Sequence, residues 1–123
     1  MLSVIVVSEF FLLLLIKHAI ADLALQDLIK NNNKTDYISS GHQHYLHHGL
    51  GTLLVSLVYF LDPIIAILIA IIDYVAHWHI DWFKHFVKNK FNVENYTANW
   101  WWLTTLDQCL HYSTYYLLAL YFV

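Results

Sequence analysis

The chain has 123 residues, enough for one domain. It is 59% hydrophobic and 12% charged, against about 25% charged in a typical soluble domain, so a water-soluble fold of this size would expose large apolar patches, and lipid is the simpler solvent for it. With six lysines, no arginine and a net charge of −3 it has no basic stripe for phosphates, which argues against a nucleic-acid partner, and its single cysteine, Cys109, excludes an internal disulfide.

The first apolar segment runs over residues 2–25. It has no positive n-region and Glu9 interrupts it, so it reads as a retained helix rather than a signal peptide. Three more segments follow, at 45–61, 63–84 and 100–123. A membrane span needs about 20 residues, since each adds about 1.5 Å against a hydrocarbon core of about 30 Å; all four segments are near that length, the second on the short side. The expected fold is all-α, a single domain forming an up-down bundle of four transmembrane helices.

The connections fit this threading. Gln26 to Gln43 is polar and holds Asn31, Asn32, Asn33, Lys34 and Thr35. Asp62-Pro63 is a tight link, with proline suited to the first turn of the next helix. His85 to Asn99 carries Lys88, Lys90, Glu94 and Asn95 and reads as interfacial. Lys30 and Lys34 lie in the first connection, and Lys84, Lys88 and Lys90 in or beside the third. An alternating bundle puts these two connections on one side, which the positive-inside rule makes cytoplasmic, with both termini opposite. The expected location is a bacterial inner membrane. Trp100, Trp101 and Trp102 open the last segment at the same interface.

Ionisable residues inside apolar helices are costly and mark functional candidates. Four groups stand out: His18, Asp22 and Gln26, spaced by four; His42, His44, His47 and His48 at the mouth of the second segment; Asp73, His77, Asp81 and Lys84 on nearly one face of the third; and Asp107, Gln108 and His111 in the fourth. They fall late, early, late and early in successive segments, so an alternating bundle gathers them at one end. His42 and His44 read as loop residues, and His79 and His85 as facing headgroups or solvent. Glu9 and Lys17 read as snorkelling or paired. Which of His44, His47 and His48 joins the cluster stays open.

Imidazole and carboxylate donors together suit zinc, manganese or iron. His18, His48, His77, Asp107 and His111 are the candidate metal ligands. Asp22, Asp81, Lys84 and Gln108 are the candidate catalytic groups, a spare carboxylate serving as base and Lys84 holding a phosphate. A carboxylate one turn from a histidine can also orient it from outside the coordination shell. In the plainest alternative the histidines bond between helices and Lys84 is only a positive-inside anchor.

These motifs resemble an uncharacterised bacterial and phage membrane family, domain of unknown function 3307. The pattern is His-x3-Asp-x3-Gln in the first helix, a histidine opening the second, His-x3-Asp-x2-Lys in the third and Asp-Gln-x2-His in the fourth. Here it falls on His18/Asp22/Gln26, His48, His77/Asp81/Lys84 and Asp107/Gln108/His111. Leu23 stands where that family often has Phe. The resemblance implies a small polytopic membrane protein and no particular activity.

Three functions compete. One is a metal-dependent hydrolase acting on a lipid-borne or headgroup substrate at the cytoplasmic face of the bilayer. Another is an oxidative site, di-iron or haem: His44-x2-His47-His48 has the form of one histidine box, where such di-iron proteins need several, and the aspartates disfavour haem. The third is a non-enzymatic scaffold or complex subunit whose polar cluster is structural. A proton pathway is the weakest option, because only Glu9 lies far from the cluster.

Overall fold

The computed structural model describes residues 2–29, 32–60 and 62–123. Lys30, Asn31 and Leu61, which the sequence assigns to the first connection and the end of the second helix, lie outside the described residues. Within those residues the fold is all-helical, with no strand. Four helices follow in order: α1 (Leu2–Ala19), α2 (His42–Tyr59), α3 (Pro63–Lys90) and α4 (Ala98–Phe122). Each packs on its sequence neighbour, and α4 closes the ring against α1.

The helix ends follow local chemistry. Asp62 caps α3, its Oδ1 accepting from the Ile64 N–H at 2.8 Å, and Pro63 fills the first position. Thr97 caps α4 by accepting from the Trp100 N–H at 3.3 Å. Beyond Ala19 the first helix does not stop but widens into a π-helical segment, Ile20–Leu25, and then tightens into a 3-10 turn, Gln26–Leu28. Such π segments are rare and cluster at functional sites; this one carries Asp22.

Several boundaries move from their expected places. α2 starts at His42, not residue 45, because its opening histidines turn inward instead of into a solvated loop. α3 continues past Lys84 to Lys90, since nothing between them breaks a helix; Asn92, with φ of 48°, ends it. The third connection therefore shortens to residues 91–97.

Two helices, Val4–Leu28 and Pro63–Lys90, are long and apolar enough to cross a membrane. Large apolar side chains face outward along every helix, among them Leu23, Val58, Ile64 and Tyr121, the last 86% exposed. Half the bundle has a conventional core of Phe10, Leu14, Ile69, Tyr115, Leu118 and Ala119, with Phe10 edge-on to Tyr59 and Phe60. The other half buries Lys17, His18, His44, His48, Asp73, His77, Asp81, Asp107 and His111.

One close approach fixes the polar end. A Cβ on Gly41 would lie 2.6 Å from the Asn33 carbonyl oxygen, so only glycine lets the α1–α2 loop fold back onto the start of α2. The Gly41 N–H donates to that oxygen at 3.0 Å. The loop is also held to α3 through Tyr37, whose carbonyl accepts from the Trp78 indole at 2.9 Å.

Candidate metal centre

Five imidazoles converge from four helices. His77 stacks between His48 and His111, with ring centroids 3.5 and 3.9 Å away. His44 lies edge-on to His48 at 4.6 Å, one turn earlier on α2, and His18 lies 5.1 Å from His111. The level shared by the four groups in sequence is thus one place in space.

Two overlapping donor sets result. Donor atoms of Asp22, His44, His48 and His77 all lie within 4.8 Å of one another, as do those of His77, Asp81 and His111. Asp22 Oδ1 is 3.2 Å from His44 Nε2 and 3.0 Å from His48 Nε2. Asp81 Oδ1 is 3.1 Å from His111 Nε2 and 3.7 Å from His77 Nε2. The His48–Asp22 and His111–Asp81 contacts are hydrogen bonds as they stand, and their lengths are close to the roughly 3.3 Å that separates two ligands on a tetrahedral ion bound at about 2.0–2.1 Å.

Ordinary hydrogen bonds do not exhaust the donors. Among the described residues, both ring nitrogens of His44 and of His77, and Nδ1 of His48, are buried with no hydrogen-bond partner. Buried polar atoms in native proteins almost always have one. A divalent cation takes one nitrogen from each ring, so it would satisfy one of the two on His44 and one of the two on His77, and the donor set of neutral imidazole and carboxylate is the one zinc, manganese and iron take.

The three carboxylates share one arrangement. Each has one oxygen held from outside and the other turned toward the imidazoles. Asp22 Oδ2 is 3.0 Å from His18 Nε2. Asp81 Oδ2 accepts from Lys34 Nζ at 2.5 Å. Asp107 Oδ2 accepts from Lys84 Nζ and from Gln108 Nε2, both at 3.1 Å, while its Oδ1 has no hydrogen-bond partner and lies 3.6 Å from His111 Nε2.

His18 is itself held. The Tyr115 hydroxyl donates to its Nδ1 at 2.9 Å, so Nε2 carries the proton, which points to Asp22 Oδ2 and to Gln108 Oε1 at 3.1 Å. Behind Tyr115 lies Lys17, its ammonium 3.1 Å from the hydroxyl and 2.7 Å from Asp73 Oδ2, which also accepts from Thr52 at 2.5 Å.

All nine residues singled out from sequence lie in or around this centre. Asp22 and Asp81, the candidate catalytic groups, contribute donor atoms to the two convergent sets. His18 and Asp107, read as ligands, fall outside the two convergent sets. His48, His77 and His111 are inside them. Lys84 and Gln108 both bind Asp107. His47 is only half-buried and takes no part in either set.

Sequence reasoning read His44 as a loop residue while leaving open whether it joins the cluster, and it missed Lys34. His44 is fully buried on α2, not in a loop. The signal was present: His44 and His48 are four apart, a helical repeat once the helix is allowed to begin at His42. Lys34 carried no signal beyond its charge, because only the folded-back loop brings it to Asp81.

Between α1 and α4 a groove of about 420 Å³ opens beside the centre, lined by Leu15, His18, Ala19, Asp22, Leu23, Gln108 and Tyr112. The Asp22 side chain, 24% exposed, faces it.

A family model described as Protein of unknown function (DUF3307) matches residues 10–123. Among curated proteins and solved structures none matches the chain.

Proposed function

The chain belongs to the DUF3307 family, and from the geometry of its histidine–aspartate centre we propose a four-span membrane protein that binds a divalent metal ion and hydrolyses a lipid-borne substrate. The membrane part of this reading rests on more than the two apolar helices. On α2, Leu54 and Val58 point outward, as do Leu117 and Tyr121 on α4, while ionisable groups fill the interior. Water would penalise the outward apolar faces and lipid does not, while the ionisable groups, costly in hydrocarbon, are turned to the bundle interior. Lys34, Lys84, Lys88 and Lys90 lie at one end of the bundle, which the positive-inside rule makes cytoplasmic. Both termini then face the opposite side of a bacterial inner membrane.

The observation that supports the metal reading is that, among the described residues, both ring nitrogens of His77 and Nδ1 of His44 and His48 are buried without a hydrogen-bond partner, close to the inward oxygens of Asp22 and Asp81. A bound ion would supply a Lewis acid and make a coordinated water acidic near neutral pH. Asp22 and Asp81 each present one oxygen as a ligand. His18, Lys34, Lys84 and Gln108 hold the far oxygens of the three carboxylates and so fix the near ones. Asp107, with Oδ1 uncommitted and turned inward, is the base that takes the proton of the attacking water. Access runs through the α1–α4 groove, whose apolar walls suit a substrate that stays in the bilayer.

The test is hydrolysis of lipid esters by detergent-purified protein before and after chelation. Activity lost with EDTA, regained with zinc or manganese, and absent from Asp81→Ala supports the proposal. Activity indifferent to EDTA, or none on any lipid ester with metal bound, rejects hydrolysis. A Soret band would move the centre to haem.

A further inference from the structure

From the lysines around the centre we infer its substrate class: a phosphate-bearing lipid whose phosphoryl group is held by Lys34 and Lys84. This rests on the metal reading above and extends it.

Three carboxylates, Asp22, Asp81 and Asp107, stand against two ammonium groups, Lys34 and Lys84, leaving one surplus negative charge. The histidines are neutral when they ligate a metal. One divalent ion therefore turns the surplus into a single positive charge. In a site this buried an uncompensated charge is costly, so the loaded centre calls for an anionic ligand.

The donors for that ligand are already in place. An ammonium has three N–H groups. Among the described residues, Lys34 spends two, on Asp81 Oδ2 and on Gln26 Oε1 at 2.9 Å, and Lys84 spends one on Asp107 Oδ2. Each keeps at least one N–H for a phosphoryl oxygen. Lys34 is only 11% exposed, so this is a lysine carried into the site by its loop rather than a solvated surface charge. The two come from different elements, the α1–α2 loop and α3, and each pairs with one carboxylate of the centre, Lys34 with Asp81 and Lys84 with Asp107.

The lipid portion follows from the groove. It runs along α1 from Asp22 past Ala19 to Leu15, walled by Leu23 and Tyr112. Seven residues of helix give it about 11 Å, enough for much of a short acyl chain. Its polar end meets the centre and its apolar end points into the bilayer, which orients a lipid with its headgroup at the metal.

Metal-loaded protein in detergent would be titrated with dioctanoyl phosphatidate, dioctanoylglycerol and inorganic phosphate. We expect phosphatidate to bind at least tenfold more tightly than either of the others. Lys34→Gln and Lys84→Gln, each kept loaded by excess metal, should weaken phosphatidate binding by about tenfold, the effect of one charged hydrogen bond. Leu15→Trp, which fills the groove, should weaken phosphatidate and leave inorganic phosphate alone. Equal binding of phosphatidate and dioctanoylglycerol overturns the phosphate assignment, and equal binding of phosphatidate and inorganic phosphate overturns the lipid assignment. Lysine variants that bind like wild type overturn the cradle. Wild-type protein that takes up no metal is a separate outcome: it removes the metal reading, and the inference with it.

Discussion

Lys17 Nζ lies 2.7 Å from Asp73 Oδ2 with both side chains buried, a diagonal ion pair joining α1 to α3 beneath the histidine centre. The lysine stem lies across Gly51, where a Cβ would come within 2.6 Å of Lys17 Cγ. Removing one partner strands the other charge. We expect Lys17→Met to destabilise the fold by about 3–5 kcal/mol, and the double variant Lys17→Met/Asp73→Asn by clearly less than the sum of the singles. Unfolding in detergent, followed by circular dichroism, measures both.

His44 and His47 lie three residues apart on α2 with different surroundings. His44 is fully buried, 3.2 Å from Asp22 Oδ1, and His47 is only half-buried outside both donor sets. His44→Ala should lower divalent-metal affinity at least tenfold, whereas His47→Ala should leave it within twofold, the difference between losing a ligand and losing a bystander. Competition with a chromogenic chelator reads both.

The chain of bonds from Lys17 through Tyr115 and His18 to Asp22 has a fixed direction. Outer partners of metal ligands typically contribute 10–100-fold in affinity, so we expect His18→Ala to weaken metal binding by about that factor without changing stoichiometry. Tyr115→Phe removes the hydroxyl that fixes the His18 tautomer and should act in the same direction by less. The same chelator competition measures it.

Cys109 is the sole cysteine and is exposed on α4. In a bilayer that exposure is to lipid. A membrane-impermeant maleimide should leave Cys109 unlabelled in intact membranes and in inverted vesicles, and label it after denaturation in SDS. Rapid labelling in native membranes would rule out α4 as a span.

The helical class was legible because apolar segments and breakers are strong signals; Pro63 and the Asn-rich connection set boundaries close to those observed. The convergence of the site was legible from depth alone, since His18, His48, His77 and His111 alternate late and early. The pairing of the carboxylates was not: which oxygen of Asp22, Asp81 and Asp107 faces the imidazoles is decided by His18, Lys34 and Lys84 across the bundle. The π-helical turn at Asp22 was equally hidden, because no residue type in Ile20–Leu25 demands it. The extension of α2 back to His42 was missed because histidine was read as a solvated residue, where here it is buried polar core.

Elemental analysis of purified protein, wild type against His77→Ala, tests the central claim most directly, because His77 belongs to both donor sets and both of its ring nitrogens lack a hydrogen-bond partner among the described residues. The account predicts zinc, manganese or iron in at least equimolar amount in the wild type and a marked loss in the variant. Negligible metal in both, with the variant folded, would contradict it and leave the histidines and aspartates as a network that only holds the helices together.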